Sequence, residues 1–483
     1  MTKKRASNSE DIEITYQVNL IQGKEATLSL RSGRRPRKKL GRLFYDFDGK
    51  NLSGVGGLAS IYAFMGKVGF EGAFSNLDLG YEPTVYPVPR VLSCLILGMI
   101  AGYAKVRETA RLGKDLSLRK ILGWKEFPVQ TTLSRSLNRF TESRVGSLLE
   151  ISAGLLDRFR QGWKNYEVLH LDLDSHVRTV YGADIEDAVR GYNPSKRGRR
   201  SYHPLLAFIG ETRDFLRGRL RSGNAISATG ATGFLRECLD QVGLDRLHKL
   251  VVRADSGFCI QDFLHVLEEY SDKLVYVLAM RLNPVHQKRF AGLKYRAVEG
   301  SRPEDGLEIA EYQSTDWPDK KARRVIVVRQ AIPEDEPQEV CGKQLKLFEL
   351  QGYTWRAFVT SSQAPPEAVW RDYNQRATCE HHIGEAIEFG LDWTASRQFW
   401  PNAAHFLLVM LAYNVFNWYK EIALGQNENR NGVRFLRSCI IHVPVILRRS
   451  ARQVRLSFSR DWPWRKEFEE SLARVEAWQL VPT

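Results

Sequence analysis

The segment EVLHLDLDSHV (167–177) constrains this chain more than any other, because it sets two carboxylates, Asp172 and Asp174, within an otherwise apolar strand pattern. Alternation with period two puts both on one face. A carboxylate there is costly to bury unless it is paired or bound to a metal. Upstream the hydrophobic period is helical, and from residue 166 it becomes that of strands.

HPLLAFIG and DFLRGRLRSG read as the next two strands, separated from the first by the basic loop GYNPSKRGRRSYH (191–203). A helix, TGATGFLRECLDQVG, follows with Thr229 or Thr232 as its cap. Then come the strand KLVVRADSGF (249–258), the helix IQDFLHVLEEY and the strand LVYVLAMRL. The order β-β-β-α-β-α-β predicts a ribonuclease-H-like α/β layer, a mixed sheet with flanking helices. Residues 283–362 break that rhythm with LEIAEYQS, ARRVIVVRQAI, QLKLFEL and YTWRAFVTS, short strands that predict a β-rich insertion. PPEAVWRDYNQRATCEHHIGEAIEFG is then expected as one helix starting at Pro365 and Pro366, and HFLLVMLAYNVFNWYK (405–420) as a buried one.

The predicted organisation is a basic flexible arm (1–42) and an all-α, DNA-binding N-terminal region (43–165). The first part of the core (166–282), the β-rich insertion (283–362) and the second part of the core (363–425) follow. A C-terminal region (426–483) would serve dimerisation or DNA contact. In the helical region, VLSCLILGMIAGYAKVRETARL is expected as a helix ending at Gly113-Lys114. A second helix, capped at Thr131 or Thr132, would carry Arg135 and Arg139 on one face, as the reading helix of a helix-turn-helix does.

Charge narrows the partners. The 483 residues carry 71 Lys and Arg against 56 Asp and Glu, a formal net charge of +15, which suits a polyanion whose counterions are released on binding. Seven of the twelve residues in RSGRRPRKKLGR (31–42) are basic. With Lys196, Arg197, Arg199 and Arg200 they are candidates for phosphate contact. The six cysteines form no CxxC pair, which argues against a zinc ribbon or a disulfide framework and for a reducing compartment. The N-terminus has no apolar segment of a signal peptide, and the stretch from Val91 to about Ala104 is shorter than the ~20 residues a membrane span needs. A cytoplasmic location without membrane contact is expected.

Chemistry on phosphodiesters uses two divalent ions, one activating the attacking oxygen and one stabilising the leaving oxygen. Mg²⁺ takes a few carboxylates and keeps several waters. Candidates stand at three places: Asp172 or Asp174 on the first strand, Asp255 at the end of the fourth, and Glu380 on the helix after the insertion. Spacings of three, four and seven put Tyr373, Arg376 and Glu380 on one helical face. The CEHH run is a weak zinc candidate, because the adjacent His381 and His382 point about 100° apart on a helix. Glu186 and Asp187 read as surface charges. Trp317 and Trp355 read as core aromatics rather than surfaces for an extruded base.

Taken together, DLDSHVRTVYG…GYNPSKRGRRSYHPLLAF, VVRADSGF and YNQRATCEHHIGEAIEFGLDW…PNAAHFLLVMLAYNVFNWYK resemble the DDE transposases of bacterial insertion sequences. The closest branch has a Tyr-Arg-Glu-Lys signature helix and a β insertion before the catalytic Glu; the similarity runs from about residue 45 to 455. The resemblance implies Mg²⁺ or Mn²⁺, terminal-inverted-repeat and target DNA as substrates, and synapsis as a homodimer. It also implies a catalytic triad of Asp174, Asp255 and Glu380 as metal ligands, with Tyr373 and Arg376 in the signature positions. Ile387 stands where the signature Lys is expected, and His176 where the family has Thr. Two other readings stay open: a transposase-derived DNA-binding protein without activity, and a metal-dependent nuclease on the same fold.

Overall fold

The computed structural model describes residues 14–19, 25–30, 38–40, 42–80, 86–163, 165–194, 196–302, 305–332, 352–425, 431–450 and 453–480. The chain forms two compact units, Met1–Leu52 and Ser53–Thr483. In the first, Ile14–Asn19 pairs antiparallel with Glu25–Leu30, and Lys38–Leu40 with Leu43–Tyr45. The segment expected as a flexible arm therefore contains paired strands. The basic residues 31–37 and the predicted strand QLKLFEL lie outside the described residues.

The second unit opens with helices α1 (Leu58–Val68), α2 (Val88–Ile100), α3 (Gln130–Leu137) and α4 (Glu142–Arg160). Two expectations are corrected here. α2 stops well before Gly113, at Ala101-Gly102, where Gly102 has φ 91°. Arg437 seals that end by donating to the carbonyls of Ile100 (2.8 Å) and Met99 (2.9 Å), as a cation at a helix C-terminus should. α3 starts at Gln130 with Val129 as its cap residue, so neither Thr131 nor Thr132 caps it.

The core follows as β1 (Val168–Ser175), β2 (Leu205–Ile209), β3 (Phe215–Arg219), α5 (Ala231–Val242), β4 (Lys249–Ala254), α6 (Gln261–Glu269) and β5 (Leu274–Ala279). This is the predicted order β-β-β-α-β-α-β. The cap of α5 is Gly230 at φ 67°, a left-handed conformation that neither Thr229 nor Thr232 supplies. β1 lies between antiparallel β2 and parallel β4, and β4 runs parallel to β5. Leu169, Leu171 and Leu173 fill one face of β1 and are fully buried.

After α7 (Pro284–Ala291) come β6 (Arg296–Ala297), β7 (Leu307–Ser314), β8 (Arg323–Ala331) and β9 (Tyr353–Thr360). These insertion strands extend the central sheet itself, in the order β3-β2-β1-β4-β5-β9-β8-β7-β6. The predicted helix of the signature region is divided in two, α8 (Pro366–Gln375) and α9 (Ala377–Phe389), with the break at Arg376. Val298, Ile309, Ile326, Val328 and Phe358 of the extended sheet form an apolar floor with Val369, Trp370 and Tyr373 of α8. The insertion thus seats the first signature helix.

α10 (Phe399–Ala423) is buried along almost its whole circumference. Its polar side chains are used to complete the sheet. Asn414 accepts from the amide of Phe215 and donates to that residue's carbonyl, both at 2.8 Å, so edge strand β3 leaves no orphan groups there. The C-terminal hairpin, β10 (Val445–Ser450) with β11 (Gln453–Phe458), leads to α11 (Arg465–Ala477), which packs on α10 and α1. Among the described residues no helix is long and apolar enough to cross a membrane, and Cys94, Cys238, Cys259, Cys379 and Cys439 are free thiols.

Candidate active site

Asp172 and Asp174 share a face of β1, but they have different partners. Asp172 is held by Arg253, its neighbour across the β1–β4 ladder, with Nε 2.6 Å from Oδ1 and Nη2 2.8 Å from Oδ2. Both side chains are almost wholly buried. Arg253 also reaches α8, donating to the carbonyl (2.7 Å) and carboxylate (3.0 Å) of Asp372. His170 sits between two carboxylates, Glu211 on one side and Asp372 at 3.0 Å on the other. Burial opposes protonation of His170, yet its hydrogen bonds to Asp372 and Glu211 win and raise its pKa to about 9. This network was legible in part: an arginine inside the apolar run KLVVRA carries the same desolvation signal as Asp172.

Asp174 is paired from the junction of α8 and α9. Arg376 Nη2 lies 3.1 Å from its Oδ1, and the same nitrogen donates to the Leu173 carbonyl at 3.2 Å. The Ser175 amide donates to Asp174 Oδ1 at 2.8 Å. Burial raises the Asp174 pKa, Arg376 opposes that rise, and the negative charges of Asp255 and Glu380 add to it. Asp255 ends β4, where the Gly257 amide donates to its Oδ1 at 2.9 Å. Gly257 fits because a Cβ there would stand 2.6 Å from the Ser227 Cβ. Ser227 Oγ in turn lies 2.9 Å from Ser175 Oγ and fastens the loop before α5 to the end of β1.

The break at Arg376 sets the aim of the signature residues. Its amide bonds to the Tyr373 carbonyl at 2.9 Å, and the Cys379 amide bonds to its own carbonyl at 2.8 Å, a tightened turn between two helices. Tyr373 sits against Phe358 with ring centroids 4.5 Å apart, its hydroxyl 3.4 Å from the Ala254 carbonyl. Arg376 is buried, whereas Glu380 is exposed on the first turn of α9. Ile387, at the signature Lys position, is also exposed.

The donor set of Asp174, Asp255 and Glu380 is all oxygen and suits Mg²⁺ in kind. Among the described residues, however, no three His, Cys, Asp or Glu side chains stand together as a preformed metal-holding group. The CEHH run is no exception. His382 is buried against Phe208, while His381 is exposed.

The basic candidates fall in three settings. Arg135 is exposed on the last turn of α3. Arg139 is not on that helix, contrary to expectation; it lies in the turn before α4 and donates to the Gly80 carbonyl at 3.0 Å. Lys196, Arg197, Arg199 and Arg200 are all exposed. Lys196 bonds to the Tyr181 hydroxyl, and Arg200 donates to the Ala188 carbonyl at 3.3 Å. Glu186 is more than a surface charge, since it accepts from the Phe399 amide at 2.7 Å and caps α10.

A buried aspartate on the central strand of a mixed α/β sheet is paired with an arginine, and the charges of two further carboxylates, Asp255 and Glu380, act on it. The chain belongs to the family described as transposase DDE domain group 1, which it matches over residues 36–480. By family it is a DDE-type transposase. No curated protein matches it. Among solved structures it is similar to the piggyBac transposase in a synaptic complex with hairpin DNA, at 14% identity and a TM-score of 0.38, covering 80% of each chain.

Proposed function

We propose that this protein is a DNA transposase that binds the inverted-repeat ends of an insertion sequence, cleaves them and joins the freed 3′ ends to target DNA. The observation that carries the reading is Asp174, a buried carboxylate on which Asp255 and Glu380 both act and which Arg376 neutralises. On a ribonuclease-H-like core, Asp174, Asp255 and Glu380 would hold two Mg²⁺ ions, or Mn²⁺ in their place. Bound there, the ions supply activation of the attacking oxygen and charge for the leaving oxygen. The chain's own residues do the positioning. The Ser175 and Gly257 amides orient the two aspartates, and Arg376 balances Asp174 before the carboxylates are loaded. Lys196, Arg197, Arg199 and Arg200 track phosphates, and Arg135 reads the end. The protein works as a homodimer in the synaptic complex, in the cytoplasm and on the nucleoid.

The test is nicking and strand transfer on a duplex carrying the element's own end, in Mg²⁺, beside a gel shift. Asp174→Asn, Asp255→Asn and Glu380→Gln should each lose roughly 10³-fold or more in cleavage, since several kcal/mol of charge stabilisation disappears. End binding should stay within a few-fold. Near-normal nicking by Asp255→Asn sinks the triad, and nicking without strand transfer by the wild type favours a plain nuclease.

A further inference from the structure

The two tryptophans that the insertion offers as stacking surfaces, Trp317 and Trp355, are buried. A third, Trp393, is 45% exposed. It stands in the turn after α9, where its amide bonds to the Gly390 carbonyl at 3.0 Å. That turn is fastened to the end of β1 at two points. His176 Nε2 lies 3.0 Å from Asp392 Oδ1. Arg178, fully buried, donates to the Trp393 carbonyl and to Thr394 Oγ1 at 3.2 Å. His176 and Arg178 follow Asp174 by two and four residues, so the indole is registered to the acidic centre through short, stiff connections. The ammonium of Lys105 sits 3.7 Å from the ring centroid.

The residues after Trp393 line an open cleft of about 700 Å³, with Asn138, Tyr181 and Ile185 on its other walls. Ser396 donates to Asn138 at 2.8 Å and clasps the cleft to the turn after α3. Tyr181 is 65% exposed and has the Lys196 ammonium 5.2 Å from its ring centroid. Arg397, in the cleft wall, is exposed, and its guanidinium has no partner among the described residues.

An exposed indole with an ammonium over one of its faces, followed in the chain by a cleft with a tyrosine and a guanidinium that has no partner among the described residues, is the chemistry that holds an unpaired nucleotide. The base stacks on the ring while the phosphates meet the cations. We propose that Trp393 is a stacking platform for an unpaired nucleobase of the DNA at the active site, and that the adjoining cleft receives the backbone of that strand. The proposal rests on the reading of the chain as a DNA transposase. A fully paired duplex keeps its bases stacked on one another and gains nothing from the platform, so Trp393 should matter only where a nucleotide is unpaired.

The experiment is fluorescence anisotropy of the full-length protein with two labelled duplexes of the element's end, one blunt and one with a short single-stranded extension. Trp393→Ala should weaken binding of the extended duplex roughly 5- to 100-fold, with the blunt duplex changed less than about twofold. Trp393→Phe should restore most of the loss, since a smaller ring still stacks. Equal losses on both duplexes, or none on the extended one, overturn the platform while leaving the transposase reading in place. Failure of the wild type to bind either duplex overturns both.

Discussion

Arg376 and Asp174 meet across the break between α8 and α9, with Nη2 3.1 Å from Oδ1 and both side chains largely withdrawn from water. At this tightened turn the guanidinium reaches β1, where it also donates to the Leu173 carbonyl at 3.2 Å, while Glu380 is exposed on α9. The cation nearest the acidic centre is therefore supplied by the chain.

Removing that cation should expose the cost of an unpaired Asp174. Breaking one side of a buried ion pair costs about 3–5 kcal/mol, so Arg376→Ala should unfold at markedly lower urea concentration at pH 7. The pKa of Asp174 is raised by burial, so its contribution to stability is full below its unfolded value and is lost as pH rises through the folded one. The variant's deficit should accordingly shrink towards pH 4, and Mg²⁺ should stabilise the variant more than the wild type. Urea curves of Arg376→Ala that coincide with those of the wild type, with and without Mg²⁺, would remove Arg376 from this role.

Asp172 lies two residues from Asp174 on the same face, yet Arg253 holds both of its oxygens. Asp172→Asn should keep substantial cleavage while losing up to about 3–5 kcal/mol of stability, because Arg253 is left short of a charge. Asp174→Asn should lose cleavage, and it should lose stability as well, because the buried Arg376 is left without its carboxylate. Parallel nicking assays and thermal melts decide it, and activity lost by Asp172→Asn alone would move the ligand to Asp172.

The strand order of the core was readable because its elements announce themselves by period: LHLDLDS alternates, and FLRECLDQV repeats every three to four residues. Local choices of capping and breaking were not. Gly230 outcompetes two threonines at α5 because the backbone there is left-handed, a property of the tertiary path. The division of the signature helix has no proline or glycine to mark it. The insertion strands were recognised as strands, but nothing in their composition says that β9 joins β5 and extends the central sheet. Of the site, the carboxylates stood out as charges in apolar strands. The turn carrying Trp393 did not, because its anchors on His176 and Arg178 come from more than two hundred residues away.

His170 should give stability an alkaline edge. Its pKa is raised to about 9 by Asp372 and Glu211, whose own values are lowered in part by hydrogen bonds to His170. A raised histidine stabilises fully below its unfolded value near 6.5 and loses that contribution as pH climbs to 9. The shift corresponds to as much as about 3 kcal/mol. The melting temperature of the wild type should fall between pH 6.5 and 9.5 more steeply than that of His170→Gln. Parallel curves would mean that the imidazole is not charged in the folded protein.

Arg135 and the loop of Lys196, Arg197, Arg199 and Arg200 should differ in what they tell DNA apart. These cations are exposed, Lys196, Arg197 and Arg199 on an irregular segment and Arg200 at the start of the strand Arg200–Tyr202, a placement suited to phosphates, and each contact removed should lower the logarithmic salt slope by roughly one. Arg135 projects from the last turn of α3 with no hydrogen bond or ion pair among the described residues, whereas Arg139 is engaged with Gly80. If Arg135 reads a base edge, Arg135→Ala should cost about 1–3 kcal/mol on the cognate end and little on a scrambled duplex. Replacing all four loop cations by Ala should weaken both duplexes alike and flatten their salt dependence. Salt titrations of the two variants on both duplexes separate the roles. Equal weakening of the two duplexes by Arg135→Ala would mean that α3 does not read sequence.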